Sequence, residues 1–173
     1  LIIGDAPGEL EDNLATPFQG ESGEIVDMFL ERCGSSRDEG FIANIVGCRP
    51  TSDRAPSKSE IRRCSDRIHK IIEYVDPFVV LILGAVAFKA LLPGNGKISE
   101  VAKMRGELDP YAFTLTTPGT MVPIERLALV TWHPAYLLQN WTEKPNGAVH
   151  QALVTWKKAF TNADAYGELY LGE

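Results

Sequence analysis

The chain has 173 residues, of which 45% are hydrophobic and 23% are charged, proportions close to the average for a globular domain. Its 17 basic and 23 acidic side chains give a net charge of −6, the wrong sign for a protein that binds nucleic acid through its overall charge. No apolar run reaches the roughly 18 residues of a membrane span, so we expect no membrane partner.

Cysteine content and chain length predict one intracellular domain. Three cysteines, a low and odd number, argue against a secreted disulfide scaffold and for a reducing compartment such as the cytoplasm or nucleoid. One domain covering residues 1–173 fits the usual size range. Leu1 opens directly into an apolar run, so we expect a further N-terminal segment to precede it.

Short apolar runs alternate with helical patterns along the chain. Strands are predicted over residues 1–4, 41–46, 78–84 and 127–132, because each run is short, apolar and bounded by Gly, Pro or charge. Helices are predicted over residues 23–33, from a capping box at Ser57 to before Pro77, and over 85–92 and 148–160. We expect a hairpin insertion within residues 106–123 and a poorly ordered tail over 161–173. The alternation predicts a three-layer αβα fold around a central, mainly parallel four-stranded sheet.

Charge is unevenly distributed along the sequence. Residues 1–27 contain seven acidic side chains and no Lys or Arg, whereas residues 49–70 contain seven basic side chains against three acidic ones, a local charge of +4. Because screening limits electrostatic reach to about 8 to 10 Å, a local basic patch can hold a phosphate backbone on an acidic protein. A solvated helix face is the alternative explanation of this pattern.

The loops that follow the predicted strands are the candidate sites, since ligands bind beyond the carboxyl ends of parallel strands. Residues 4–8 (Gly-Asp-Ala-Pro-Gly) form a tight turn where backbone amides can approach a ligand. The acidic surroundings of this turn favour a water or a neutral ring over a phosphate. Phe18, between Pro17 and Gly20, suits stacking on a planar ligand; a loop aromatic folded onto the core is the alternative.

Polar residues also mark the ends of two later strands. Asn44 closes the second strand, where an amide offers a donor and an acceptor to a base edge, unless it is a buried structural Asn. His133 ends the fourth strand and is followed by Pro134; it suits a site, although a structural His is the alternative. Leu137 and Leu138 form either a buried turn or an apolar wedge of the kind that enters a base stack.

In this order the motifs resemble the uracil-DNA glycosylase superfamily, and specifically its iron–sulfur branch, family 4. The resemblance covers nearly the whole chain, to about residue 160. Each motif alone is weak, but the complete series in the correct order is specific. The matching segments are residues 4–8, 11–12, 17–20, Asn44 with 48–50, 53–56, Cys64, 83–87, 105–106 and 133–138.

The resemblance implies hydrolysis of the N-glycosidic bond of deoxyuridine in DNA, which releases uracil and leaves an abasic site, as in base excision repair. It implies that His133 donates a hydrogen bond to the uracil O2. The other roles implied are water holding and pocket shaping by Asp5 and Glu11, stacking by Phe18, edge reading by Asn44, and substrate contact by Gly4 and Ala6 in the turn.

The resemblance also implies DNA contacts and a cofactor. Leu137 or Leu138 would fill the gap left in the duplex, and the expected phosphate contacts are Arg54, Arg62, Arg63 and Arg105. Family members bind a [4Fe–4S] cluster through four Cys, of which this chain matches Cys48 and Cys64. The other two would precede Leu1, and Cys33 fits neither position, so we interpret it as a helix-end core thiol. Loss of the cluster is the alternative.

Three positions depart from the family pattern. Asp5 stands where a Glu is usual, Gly47 where a Lys is usual and Gln139 where an Arg is usual. Losing two cations is expected to weaken attraction to phosphate. These departures keep two alternatives open: a non-catalytic DNA- or partner-binding module, attached to a replication protein or fused to a polymerase, and a glycosylase for another deaminated or modified base.

Overall fold

The computed structural model describes residues 1–92, 111–115, 124–142, 144 and 147–171. Five strands form one sheet in the order β2-β1-β3-β5-β4. The strands are β1 (Ile2–Gly4), β2 (Ile42–Asn44), β3 (Val79–Leu83), β4 (Tyr111–Leu115) and β5 (Ile124–Thr131).

The sheet has a parallel body and one antiparallel edge. Strand β1 pairs in parallel with both β2 and β3, and β3 pairs in parallel with β5. The predicted mainly parallel, four-stranded sheet is therefore confirmed. Strand β4 adds a fifth, antiparallel member beside β5, with Tyr111 opposite Ala128 and Leu115 opposite Ile124. It falls within the expected insertion, the remainder of which, residues 106–110 and 116–123, lies outside the described residues.

In the described part of the chain, six α-helices connect and cover these strands. They are α1 (Glu9–Leu14), α2 (Glu21–Arg32), α3 (Lys58–Val75), α4 (Ala85–Leu91), α5 (Pro134–Gln139) and α6 (Ala148–Leu171), with two 3-10 turns at Arg37–Glu39 and Thr51–Asp53. The predicted capping box opens α3, because Ser57 accepts from the Glu60 N–H and its own N–H donates to the Glu60 carboxylate. Helix α6 continues to Leu171, so the predicted end of this helix at residue 160 is too early.

Alternating strand residues build a core on each face of the sheet. Helices α3 and α4 cover one face, and helices α2, α5 and α6 cover the other. The first core includes Ile3, Val80, Ile82, Ile68, Ile72 and Phe88, and the second includes Ile2, Leu81, Leu83, Phe29, Leu137 and Trp156. The layers leave the carboxyl ends of β1, β2, β3 and β5 at one edge, where the loops after them meet.

Within the described residues, no helix combines the length and the apolar character needed to cross a membrane.

Candidate active site

A cavity of about 270 Å³ opens at the carboxyl edge of the sheet. The loops after β1, β2 and β5 contribute to its walls, together with the segment that precedes α3. It brings together residues that are up to 128 positions apart in the sequence, from Asp5 to His133. The predicted site residues that line it are Asp5, Ala6, Glu11, Phe18, Asn44, Arg54 and His133.

Phe18 and His133 face each other in this cavity. Their ring centroids are 5.9 Å apart and their planes are inclined by 33°. Phe18 is almost fully buried, so its ring is a fixed wall of the cavity rather than a mobile surface group. A flat ligand inserted here would meet an aromatic face and an imidazole together.

Gly4 explains how Phe18 and Asn44 come close to the same backbone segment. A Cβ atom on Gly4 would lie 2.5 Å from the Phe18 Cζ and 2.7 Å from the Asn44 Oδ1. Only a residue without a side chain therefore fits between them. The Asn44 Oδ1 is buried and has no hydrogen-bond partner among the described residues, which leaves an acceptor available to a ligand.

His133 is a neutral hydrogen-bond donor in this structure. It caps the N-terminus of α5, where its Nδ1 accepts from the Ala135 N–H at 3.2 Å. That hydrogen bond assigns the ring proton to Nε2. Burial lowers the pKa of His133 to about 4, so the ring is uncharged at pH 7. In the described part of the chain nothing pairs with the buried Nε2.

Asp5 carries a largely buried carboxyl group whose pKa lies well above its usual value. Desolvation raises the pKa of Asp5 to about 6, against an opposing effect of backbone hydrogen bonds from Ala87 and Val86. The Ala87 N–H donates to Oδ1 at 2.8 Å, which fixes the side chain at the start of α4. At neutral pH the group is therefore mostly ionised, in a poorly solvated setting.

Glu11 organises the loop between residues 8 and 20. Its Oε1 accepts from the Gln19 and Gly20 N–H groups at 2.8 and 2.9 Å, and its Oε2 accepts from the Gly8 N–H at 3.1 Å. Desolvation raises the pKa of Glu11, but the backbone hydrogen bonds together outweigh it and lower the pKa. Because both oxygens are engaged, this geometry favours the pocket-shaping role of Glu11 over water holding.

The arginines predicted to contact DNA differ in their position and in their partners. Arg54 lies at the cavity rim, but its guanidinium is engaged by Glu60 at 2.8 and 2.9 Å. Arg62 and Arg63 are exposed on α3. Arg105 lies outside the described residues.

The prediction that Leu137 fills the gap left in the duplex is wrong. That side chain is 1% exposed and packs in the core beneath α5, so it belongs to the core and cannot reach a duplex from this position. Leu138 is partly buried against the same core. Of the two leucines, Leu138 alone keeps any exposed surface for such a contact.

The cysteines do not assemble a cluster site within this chain. Cys48 is exposed in the loop after β2, and Cys64 packs against the core of α3. Cys33 caps the end of α2 and packs against the opposite face of the sheet, as a helix-end core thiol does. Across the described ranges, no three His, Cys, Asp or Glu side chains are grouped to hold a metal. The residues present do not by themselves fit four-cysteine ligation.

Two arginines that bear on the site were missed by the sequence reasoning. Arg49 donates from Nε and Nη2 to Asp53 at 2.6 and 2.7 Å and from Nη2 to Glu9 at 3.2 Å, so it joins the loop after β2 to α1. Arg37 donates to backbone carbonyls beside Phe18. For both arginines the excess of acid over residues 1–27 was a usable signal, because it includes Glu9 and Asp27. The contacts of Arg37 with the Pro17 and Phe18 carbonyls had no such signal.

Comparison with known proteins agrees with the motif order. Residues 1–157 match the family model of the uracil DNA glycosylase superfamily. The chain is 32% identical over 144 residues to the type-4 uracil-DNA glycosylase of Thermotoga maritima, an alignment that covers 81% of this chain and 66% of the relative. It is 31% identical over 140 residues to that of Pyrobaculum aerophilum, which covers 81% and 68%.

The chain therefore spans about two thirds of the length of these relatives. A weaker match joins 109 residues, at 26% identity, to a DNA polymerase of Bacillus phage SP01, covering 62% of this chain and 11% of the polymerase. The parallel αβα fold, the ordered motifs and the match over residues 1–157 together show that this chain belongs to the uracil-DNA glycosylase superfamily.

Proposed function

We propose that the protein is a uracil-DNA glycosylase, which hydrolyses the N-glycosidic bond of deoxyuridine in DNA. The observation that carries this proposal is the buried Nε2 of His133, which has no hydrogen-bond partner among the described residues and lies in the same cavity as the Phe18 ring. Reaching such a cavity requires the nucleotide to leave the base stack, as in other enzymes that act on a single base.

The reaction needs stabilisation of charge at two places. As the C1′–N1 bond breaks, its electron pair moves to the uracil ring and negative charge develops on O2, while positive charge develops on the sugar. The His133 Nε2–H would donate to O2. A neutral donor suits this task because the ring keeps its proton throughout, and one oriented donor of this type contributes about 3 to 4 kcal/mol.

Asp5 supplies the opposite charge. Above pH 6 its carboxylate would face the developing positive charge and orient the water that attacks C1′. Water adds its oxygen to C1′ and gives up one proton to solvent, and the departing uracil anion takes up one proton from solvent. Because Asp5 is one methylene shorter than the usual Glu, it sets back the carboxylate by about 1.5 Å.

Recognition of the base would rest on Phe18 and Asn44. The Phe18 ring offers a stacking face, and the amide of Asn44 offers an acceptor and a donor to the ring edge that distinguishes uracil from cytosine. Both side chains are nearly fully buried, so they are held in place before substrate arrives. Such preorganisation reduces the entropy lost on binding.

Engagement of the DNA backbone would be modest. The exposed Arg62 and Arg63 on α3 are the phosphate contacts that fit this proposal, and Leu138 is the residue available to enter the gap left by the flipped nucleotide. With Gly47 and Gln139 in place of two cations, the attraction depends on fewer charges. Acting on cellular DNA, the enzyme would work in the cytoplasm or nucleoid.

A [4Fe–4S] cluster remains a separate proposal. Cys48 and Cys64 would be two of its ligands, and the other two would have to come from outside the residues described. The visible absorption spectrum of the purified protein tests this, because a cluster gives a brown, broadly absorbing sample. A colourless, iron-free sample purified without oxygen would contradict it.

The activity is tested by incubating the protein with single-stranded DNA that contains one uracil and cleaving abasic sites afterwards. His133→Ala should lower the rate of base release by roughly 10² to 10³. His150→Ala, a change of an exposed histidine on α6, is the matched control and should leave the rate unchanged. Equal rates for all three proteins would contradict the assignment of His133.

A second candidate function is a non-catalytic DNA-binding module, which the polymerase match favours. DNA binding without release of any base would support it. Release of hypoxanthine, xanthine or a modified pyrimidine, with uracil left in place, would instead indicate a glycosylase of different base choice.

A further inference from the structure

Phe18 is held in a backbone conformation that a phenylalanine rarely adopts. Its φ angle is 54°, in the left-handed region where the side chain crowds its own backbone. Residues in this region persist only when surrounding contacts hold them there. Since the stacking ring of the cavity sits on this residue, whatever holds the backbone also sets the position of the ring.

Arg37 makes the contacts that hold it. This residue begins the 3-10 turn Arg37–Glu39, nineteen positions after Phe18. Its Nη1 donates to the Pro17 carbonyl at 3.1 Å and its Nη2 donates to the Phe18 carbonyl at 2.5 Å. The two carbonyls on either side of the Phe18 amide therefore share one guanidinium.

The guanidinium is itself fixed by helix α2. The Arg37 Nε donates to the Asp27 Oδ1 at 2.5 Å, and Nη2 donates to Oδ2 at 3.2 Å, a bidentate pair. Helix α2 also makes room for the loop, because a Cβ on Gly23 would lie 2.0 Å from the Phe18 oxygen. The loop is thus seated against α2 and is held there by Arg37.

We propose that Arg37 is a positioning residue for the base-binding cavity, which it serves by fixing the Phe18 backbone so that the ring faces His133. This inference rests on the proposed function, because it assigns Arg37 to recognition of the flipped base. Arg37 does not line the cavity, whose walls include Phe18 and His133, so its effect passes through Phe18. Arg37 is therefore not expected to contact the substrate.

Arg37→Lys is the informative variant. Lysine keeps the positive charge but lacks the planar fork that serves Asp27 and the carbonyls of Pro17, Phe18 and Gly23 at once. We expect kcat/KM for release of uracil from DNA to fall about tenfold or more, while affinity for product DNA with an abasic site stays unchanged because that DNA presents no base to stack. Arg32→Lys, an exposed change in the last turn of α2, is the matched control and should leave kcat/KM unchanged.

A double-mutant cycle separates positioning from a general loss of structure. If Arg37 acts through Phe18, Arg37→Lys should cause little further loss of kcat/KM in a Phe18→Ala or Phe18→Leu background. A loss as large as in the wild-type background would overturn the proposal. Phe18→Leu keeps apolar volume and provides the cycle if Phe18→Ala fails to fold.

A readout that does not depend on catalysis completes the test. The Phe18 ring lies close enough to His133, at 5.9 Å between centroids, to shift the imidazole proton resonances by its ring current. Arg37→Lys should move those resonances toward their positions in Phe18→Leu, with Arg32→Lys unchanged. Wild-type resonances and wild-type kcat/KM in Arg37→Lys would overturn the inference. An inactive wild-type protein would instead contradict the proposed function, and the resonances alone would then decide the role of Arg37.

Discussion

Asp5 and His133 approach Gly84 together, one buried acid and one buried base at the start of α4. A Cβ on Gly84 would lie 3.0 Å from the His133 Cβ and 3.1 Å from each carboxylate oxygen of Asp5. Desolvation raises the pKa of Asp5 to about 6 and lowers that of His133 to about 4. Between these two pH values both groups are largely uncharged in the folded protein, whereas in the unfolded chain they carry opposite charges.

Their effects on the pH dependence of stability should therefore cancel. Asp5 stabilises the fold fully below its unfolded pKa of 3.8, and that contribution is lost as pH rises to about 6. His133 contributes fully above its unfolded pKa of 6.5, and that contribution is lost as pH falls to about 4. Each change amounts to about 3 kcal/mol at most, and the two have opposite signs.

Removing either group should reveal the pH dependence that the other group gives to the free energy of unfolding. In Asp5→Asn the free energy of unfolding should rise between pH 4 and 6.5, and in His133→Gln it should fall between pH 4 and 6. Urea unfolding at half-unit pH intervals measures both. Asp66→Asn, at an exposed position on α3, should keep the wild-type dependence. The same slope in both site variants would show that the two groups do not titrate as described.

The rate of base release should depend on pH through Asp5. Because the proposed mechanism uses the Asp5 carboxylate, the rate should rise through pH 6 and level off above it, while His133 stays neutral over this range. Single-turnover rates between pH 5 and 8 measure this profile. Asp5→Asn should give a lower rate with no rise near pH 6; a rise that persists in this variant would assign the titration to another group.

Gly4→Ala should damage base binding more than DNA binding. The added methyl group would lie 2.5 Å from the Phe18 Cζ and 2.7 Å from the Asn44 Oδ1, so both side chains must move. We expect kcat/KM for uracil release to fall by at least about tenfold, the cost of displacing one well-packed contact. Affinity for abasic-site DNA, measured by fluorescence anisotropy, should remain. Gly40→Ala, at a glycine with open space around it, is the control.

Glu11→Ala should loosen the loop that carries Phe18. The change leaves the N–H groups of Gly8, Gln19 and Gly20 without their acceptor, which we expect to destabilise the fold by about 1 to 3 kcal/mol. Urea unfolding measures the loss, and amide hydrogen exchange should speed up at residues 19 and 20. Glu31→Ala, at an exposed position on α2, should change neither. Unchanged exchange at both amides would contradict the organising role of Glu11.

Much of the fold could be predicted because its signals are local. The four parallel strands are short apolar runs with clear ends, and Ser57 and Glu60 mark the start of α3 directly in the sequence. Strand β4 could not be placed, because its position depends on backbone pairing with β5, which no pattern in the sequence specifies. The length of α6 was underestimated because its second half lacks the strong apolar period of the first.

The sequence could predict which residues line the candidate site, but not all of their contacts and burial. The topology alone brings Phe18, Asn44 and His133 to the carboxyl edge, once their motifs are placed at strand ends. Burial of Leu137 rather than Leu138 could not be predicted, because both are leucines. Which of them is buried depends on which side of α5 packs against α2. Arg37 pairs with the Asp27 side chain, but its contacts with the Pro17 and Phe18 carbonyls could not be predicted, because main-chain carbonyls carry no residue-specific signal.

The ion pairs around the cavity mouth affect how strongly this surface attracts the phosphates of a nucleic acid strand. Arg49 is bound to Asp53 and Glu9, and Arg54 is bound to Glu60. Arg54 and Asp53 line the cavity, so the cations of these pairs already have carboxylate partners there. A phosphate arriving there competes with those partners instead of finding bare positive charge. If the protein acts as proposed, selection of the damaged strand would be governed less by long-range attraction than by how well an extruded nucleotide fits the cavity behind the rim.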